Sequence, residues 1–179
     1  LMNAAVAQGV EPAQIAQHCD SVSLCFSKGL GVPCGAVLGG GLQRVGAPVG
    51  AAHLGLQHAE ATLRRDHDNA RRFAEGTSGP LGVLVCDSTP GTAQQYRATA
   101  ETNIVMVNVQ GAWPSPAELC DRLRAVSEEE VAEARQAVSV LLLPWSAQTV
   151  RAVWHHNISA RNTELARRKL EFVARKCQE

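Results

Sequence analysis

One lysine of the chain stands in a sequence context that permits covalent chemistry. Residues 21–26 (Ser-Val-Ser-Leu-Cys-Phe) alternate in the period of two that predicts a strand. Residues 27–33 (Ser-Lys-Gly-Leu-Gly-Val-Pro) contain two glycines and a proline, which predicts a loop that carries Lys28. A lysine amine held in such a loop can form an imine with an aldehyde, and the glycines let a ligand approach the backbone. Because most lysines are exposed, the pattern by itself favours an ordinary surface lysine.

Three stretches of the chain resemble one enzyme family. Residues 20–35 (Asp-Ser-Val-Ser-Leu-Cys-Phe-Ser-Lys-Gly-Leu-Gly-Val-Pro-Cys-Gly) resemble the cofactor-lysine segment of low-specificity L-threonine aldolases, which are fold type I enzymes dependent on pyridoxal 5'-phosphate (PLP). Residues 39–46 (Gly-Gly-Gly-Leu-Gln-Arg-Val-Gly) are similar to the family's Gly-Gly-Gly-Met-Arg-Gln-x-Gly. Residues 149–159 are similar to its late Val-Arg-x-Val-Thr-His-x-Asp-Val-Ser. Since the stretches follow the family's order, the resemblance covers nearly the whole chain.

The resemblance implies a role for two residues. Lys28 would be the catalytic Schiff-base lysine that holds PLP, and Arg151 would bind the substrate carboxylate with its guanidinium fork. The implied reaction is the cleavage of β-hydroxy-α-amino acids, such as L-threonine and L-allo-threonine, to glycine and an aldehyde, with PLP as the electron sink. From its strand pattern alone, Arg151 would instead be read as a solvated surface arginine. The pattern places it on one strand face with Thr149 and Val153.

The chain also departs from the family pattern. No stretch corresponds to the Asp-Gly-Ala-Arg motif, to the ring-stacking histidine or to the phosphate-binding loop, so we expect a C-terminal fragment that lacks the N-terminal half. A basic stretch before the glycine triplet is missing, and Gln43-Arg44 reverses the family's order. Two alternatives therefore stay open. One is a catalytically inactive remnant or splice product that acts at most as an oligomerising scaffold, and the other is a different fold type I lyase.

The elements that must position these residues predict an α/β fold. Residues 1–47 are expected to be a remnant of a fold type I PLP-binding large domain, residues 48–79 a long connecting helix and linker, and residues 80–179 a small C-terminal α+β domain. Residues 1–18 read as helical with an interruption at Pro12. Further helices are predicted from Pro116 and after Ser159, and strands at 35–38, 81–86, 103–109, 138–143 and 149–154.

Side-chain spacing also predicts which helical faces are buried. In the helix after Pro48, an apolar stripe runs through Val49, Ala52, Leu56, Ala59 and Leu63. In the last helix, the apolar face comprises Ala166, Leu170, Val173, Ala174 and Cys177, whereas the expected solvated positions are Arg167, Arg168, Lys169 and Arg175. Glu128–Glu130 read as a solvated helix start.

Composition limits the other classes of function. Lys+Arg and Asp+Glu are both 17, so the chain lacks the basic excess of a nucleic-acid binder. No apolar run is long enough to predict a membrane span. The six cysteines form no C-x-x-C pair and read as reduced, mostly buried thiols, and adjacent His155 and His156 would point to opposite strand faces, so no metal site is predicted. We expect a cytoplasmic protein, with mitochondria as the alternative, that binds an amino-acid substrate and, by the resemblance, forms a homotetramer.

Overall fold

The computed structural model describes residues 1–32, 35–38, 48–77, 83–86, 100–109 and 114–177. It divides into two compact units. The first comprises residues 1–68 together with 155–157, and the second comprises residues 69–154 together with 158–179. The domain boundaries expected at 47 and 79 stay a prediction. None of the helices in the described ranges is long and apolar enough to cross a membrane.

The first unit begins with two short helices, as predicted, and continues with a small hairpin. Gly9 ends the first helix in the left-handed conformation (φ 66°), and the second starts at Pro12, where Glu11 and Gln14 cap each other reciprocally. The hairpin strands are antiparallel, with Leu24 opposite Val37. The elements are α1 (Met2–Gln8), α2 (Pro12–Ala16), β1 (Ser23–Cys25), β2 (Ala36–Leu38), α3 (Pro48–Gln57) and the start of α4 (Ala59–Thr77).

The single helix predicted after Pro48 is two helices, because regular structure is interrupted at His58. The interruption is local, since His58 N still donates to Leu54 O (3.2 Å). Leu56 was predicted to be buried and is 42% exposed. The contact face instead runs through Gly55, where an added Cβ would lie 2.8 Å from Val32 Cγ2. Leu56 is one residue further along and so turns about 100° away from that face.

The second unit is an antiparallel sheet with helices. Its strands are β3 (Val83–Cys86), β4 (Ile104–Val109), β5 (Leu143–Pro144) and β6 (Thr149–Val153), in the order β3-β4-β6-β5. Its helices, besides the end of α4, are α5 (Pro116–Arg124), α6 (Glu128–Ala134) and α7 (Ala160–Lys176). Serines at 115, 127 and 159 cap the three helices by accepting backbone N–H groups at 3.1–3.3 Å, and this confirms the helix starts predicted at Pro116 and after Ser159.

Most predicted strands are present in this unit, but the strand predicted at 138–143 is wrong. Only Leu143–Pro144 pairs with a neighbouring strand. Val140 N donates to Leu123 O (2.9 Å), so the chain before β5 is bonded to the end of α5. The apolar sequence predicted a strand there. The same apolar side chains can also be buried against a helix, so the pattern alone does not distinguish the two arrangements.

The sheet of the second unit has one buried face and one open face. In β4, Val105, Val107 and Val109 are buried, and the intervening residues are half-buried. Buried Val150 and Ala152 of β6 join the same core, together with Leu119 and Leu123 of α5 and Leu170 and Val173 of α7. The alternation therefore leaves the opposite face, which includes Arg151, free of this core.

The predicted solvated positions in α6 and α7 include two errors. Lys169 and Glu130 are each 3% exposed and form an ion pair, and Lys169 Nζ also donates to Ala125 O (2.6 Å). A lysine inside a run of basic residues reads as solvated, but here α6 covers it and supplies the compensating carboxylate. Leu170, Val173 and Ala174 are buried as predicted. The structure describes the side chains of four cysteines, all of them free thiols, and only Cys120 is buried. The expectation that the cysteines are mostly buried is therefore wrong for these four.

Replacing Glu130 with Ala should lower the free energy of unfolding by about 3–5 kcal/mol, because Lys169 would remain buried without a carboxylate. Glu129→Ala is the matched control, since the neighbouring pair Glu129–Lys176 lies at the surface and should contribute less than about 1 kcal/mol. Urea unfolding followed by circular dichroism measures both changes. Equal effects of the two variants would show that the buried pair has no special role in stability.

Candidate functional site

Lys28 lies at the surface, in the turn that follows β1. Its backbone carbonyl accepts a hydrogen bond from Gly31 N (2.9 Å), and Val32 N donates to Phe26 O (3.1 Å), so the turn is closed by its own backbone. Its ammonium group has no hydrogen bond or ion pair with the described residues. An accessible, unpaired amine is the form of lysine that can react with a carbonyl compound.

The two glycines beside Lys28 are covered by side chains from elsewhere in the first unit. A Cβ added to Gly29 would lie 2.9 Å from Leu63 Cδ2. Gly31 has a positive φ of 69°, and a Cβ there would lie 2.9 Å from His156 Nδ1. Both distances are shorter than ordinary contacts, so a Cβ at either position would require the Leu63 or His156 side chain to shift. The backbone around Lys28 is therefore held on two sides.

Polar contacts of α4 hold the groups that cover this loop. The Arg65 guanidinium donates to the backbone carbonyl of His156 (2.7 Å), which fixes the segment 155–157 against the helix. The buried His67 ring bonds to the side-chain carbonyl oxygen of Asn3 (2.7 Å), and Asn3 also lies near Gly29. The helix thus connects α1, the lysine loop and residues 155–157 within one unit.

Asp66 is a buried carboxyl group in the same helix. It is fully buried, and neither carboxyl oxygen has a hydrogen-bond partner in the described ranges. Burial raises the Asp66 pKa above its ordinary value of 3.8, while the nearby charges of Arg65, His155 and His156 act in the opposite direction. The neutral form is therefore favoured more than at an exposed aspartate.

Sequence reasoning missed Arg65, Asp66 and His67, although a signal was present. Leu63, Ala70 and Phe73 are buried at helical spacing, and polar Asp66 and His67 occupy the positions between them that face the same way. Polar residues inside an apolar stripe indicate a buried polar network.

Contrary to the prediction from the sequence, the two adjacent histidines do not lie on a strand. His155 and His156 were predicted to lie on a strand with opposite directions, but β6 ends at Val153 and both histidines are exposed in the turn beyond it, with ring centroids 6.1 Å apart. No cluster of three or more possible metal ligands occurs among the described residues.

Arg151 lies in the second unit, in the middle of β6. It is opposite Met106 of β4 and Leu143 of β5, and it is half-buried on the strand face away from buried Val150 and Ala152, as the alternation predicted. Its guanidinium carbon lies 5.0 Å from the ring centroid of Trp145. No acidic side chain of the described residues pairs with it.

The structure thus describes the two predicted site residues in different units, Lys28 in the first and Arg151 in the second. Residues 39–47, which include the glycine triplet and the Gln43-Arg44 pair, lie outside the described residues.

Comparison with known proteins relates most of the chain to one family. The model of the family described as beta-eliminating lyase matches residues 1–112. The chain is 33% identical over 176 residues to "Probable low-specificity L-threonine aldolase 2" of Arabidopsis thaliana, which covers 89% of this chain and 44% of that protein. It is 30% identical over 184 residues to the uncharacterized protein R102.4 of Caenorhabditis elegans, covering 92% of this chain and 40% of that protein.

A solved structure shares the fold. A protein of Listeria monocytogenes EGD-E, assigned as an L-allo-threonine aldolase, matches with a TM-score of 0.61 and 19% sequence identity, covering 96% of this chain and 49% of that one. The chain therefore spans less than half the length of these relatives.

Gly31→Ala should destabilise the first unit more than Gly9→Ala. Both glycines have positive φ, so each alanine costs about 1–2 kcal/mol in backbone strain. Only Gly31 faces a neighbouring ring, whereas nothing lies within 4 Å of a Cβ at Gly9. Adding His156→Ala should restore part of the stability of Gly31→Ala. Denaturant unfolding of the three variants and the wild type measures this, and equal losses at Gly9 and Gly31 would contradict the His156 contact.

Asp66→Asn should stabilise the protein at neutral pH. Because the folded-state pKa of Asp66 is raised, the stability linked to its proton is fully present below pH 3.8 and is lost as the pH rises through the folded pKa. Asparagine does not ionise, so its advantage over wild type should grow between pH 4 and 7. Asp20→Asn, at an exposed position, is the control for the loss of one charge. An Asp66→Asn advantage that does not change with pH would refute this explanation.

Proposed function

The chain belongs to the beta-eliminating lyase family, and from this premise we propose that it carries the lysine and arginine of a PLP-dependent threonine aldolase site. Its named relative is a low-specificity L-threonine aldolase, and the reaction proposed is the cleavage of L-threonine or L-allo-threonine to glycine and acetaldehyde. The observation that carries the proposal is the accessible, unpaired amine of Lys28 on a loop whose two glycines are closely covered.

The other lysines of the chain make Lys28 the distinctive one. The sequence contains three lysines, all within the described ranges. Lys169 is buried against Glu130, and Lys176 pairs with Glu129 (2.6 Å). An amine held as an ammonium ion by a carboxylate is a poor nucleophile, because it must lose a proton before it can attack a carbonyl carbon. Lys28 Nζ has no ion pair with the described residues that would have to break before it could reach a carbonyl carbon.

Lys28 fits the role of holding PLP, whose aldehyde would bond to Nζ. When bound, PLP supplies the electron sink for breaking the Cα–Cβ bond of a β-hydroxy-α-amino acid. Arg151 would bind the carboxylate of that amino acid, because a guanidinium presents two parallel N–H donors to the two oxygens. Its lack of an acidic partner among the described residues leaves these donors free for a ligand.

The proposal also includes the domain organisation, the oligomeric state and the location of the protein. Residues 1–47 would belong to the PLP-binding large domain, residues 48–79 to a connecting helix and linker, and residues 80–179 to the small domain. A homotetramer acting on a free amino acid, and a cytoplasmic location, rest on the family resemblance alone.

A second candidate function is a non-catalytic scaffold. The chain spans 40% and 44% of the lengths of two relatives, so more than half of each relative has no counterpart in these 179 residues. Glycine release from L-threonine by the purified chain with PLP, abolished by Lys28→Ala, would refute the scaffold.

Mixing the chain with PLP should produce an imine absorbance band, and borohydride reduction followed by peptide mapping should place the label on Lys28. Lys28→Ala should remove most of the band, because Lys169 is buried against Glu130 and Lys176 is paired with Glu129. Lys176→Ala is the matched control and should leave the band and the label unchanged. Label spread equally over Lys176 and the N-terminal amine would show that Lys28 is an ordinary surface lysine.

A further inference from the structure

Half-buried Arg151 makes a different main contact from several exposed arginines of the described segments. Four of those arginines pair with carboxylates at 2.6–2.9 Å, in Arg64–Glu60, Arg122–Glu118, Arg168–Glu164 and Arg175–Glu133, and Arg175 also lies 5.7 Å from the Phe172 ring centroid. Arg151 instead lies over the ring of Trp145. An aromatic ring attracts the cation but occupies none of its N–H donors in the plane of the guanidinium. The Arg151 fork is therefore oriented and still available.

The turn between β5 and β6 places Trp145 beside Arg151. Leu143 is opposite Arg151, and Trp145 N donates to Thr149 O (2.9 Å), so Trp145 is the diagonal neighbour of Arg151 on the open sheet face. Ser146 Oγ contacts Thr149 Oγ1 (2.5 Å) and accepts from Gln148 N (3.2 Å), which closes the turn. Hydrogen bonds within the hairpin thus fix the backbone from which the Trp145 side chain extends.

The exposure of Trp145 is unusual for its size. The side chain is 58% exposed, although burying a tryptophan ring is among the largest stabilising contributions available to a protein. Trp154, by contrast, is buried, packs against Phe73 (4.9 Å between centroids) and donates to Thr163 Oγ1 (2.9 Å). Most of the Trp145 side chain is therefore exposed to water, and its cation–π contact is with Arg151.

We propose that Trp145 is a positioning residue for Arg151, whose ring holds the guanidinium so that its N–H edge is set to bind the carboxylate of an α-amino acid. This inference rests on the proposed function, in which Arg151 is the carboxylate ligand. The attraction of the ring for the cation needs no oxygen acceptor, so the N–H donors of Arg151 stay available to a carboxylate while the guanidinium lies over the ring. Because the long arginine side chain is ordered in advance, less conformational entropy is lost when the carboxylate binds.

Nuclear magnetic resonance of the full 179-residue chain tests this through the Nε–H signal of Arg151. The ring current of Trp145 should shift that signal upfield and keep it ordered in the wild type, and Trp145→Leu should remove both effects. Titration with L-threonine should move the signal, with L-threoninol, which lacks the carboxylate, as the control ligand. Trp145→Leu should weaken L-threonine binding about two- to fivefold, the factor that an exposed cation–π contact represents, and Trp145→Phe should restore most of it.

Arg151→Met separates this inference from the proposed function. Binding is then followed on the backbone amides of β6, which also report that each variant is folded. Arg151→Met should reduce L-threonine binding to the level of L-threoninol, and Trp145→Leu should have no further effect in that background. Unchanged affinity in Trp145→Leu, with loss in Arg151→Met, would overturn the positioning role and leave the proposed function intact. Wild-type affinity in Arg151→Met, or no wild-type response to L-threonine, would overturn both.

Discussion

The close packing of side chains over two glycines is the constraint on which the lysine loop depends. Backbone hydrogen bonds close the turn itself, and side chains packed over it further restrict its conformation. A Cβ added at Gly29 or Gly31 would lie 2.9 Å from Leu63 Cδ2 or His156 Nδ1, so a larger residue at either position would displace these side chains. The Lys28 amine is therefore exposed while side chains pack on the backbone beside it, an arrangement that suits the proposed role of Lys28.

The polar groups of α4 follow from the same constraint. Arg65 and His67 act on the lysine loop indirectly. They bond to the carbonyl of His156 and the side chain of Asn3, and these two residues in turn cover the loop. The cost of this arrangement is visible at Asp66, a buried carboxyl without a hydrogen-bond partner in the described part of the unit. Placing polar residues on a buried helical face gives specific contacts, and it leaves one group that burial disfavours in its charged form.

The second unit positions its residues in a different way, because its sheet buries one face in the core and leaves the other face outside it. Val105, Val107 and Val150 build the core, while Arg151 and Trp145 stand on the open side. Strand alternation produces this division without any special residue. The functional proposal therefore assigns catalysis to a loop in one unit and carboxylate binding to a sheet face in the other, each with its own local means of positioning.

Local sequence patterns determined the capped helix starts at Ser115 and Ser159, the strands near 104–109 and 149–153, and the strand face of Arg151, because caps and alternation depend only on neighbours in the chain. The resemblance singled out Lys28 and the family. Only the tertiary structure decided that Lys169 is buried against Glu130, that Leu56 turns away from the contact face, and that His156 covers Gly31. Each of these depends on residues distant in sequence coming into van der Waals or ionic contact, and no local pattern encodes which distant residue will arrive.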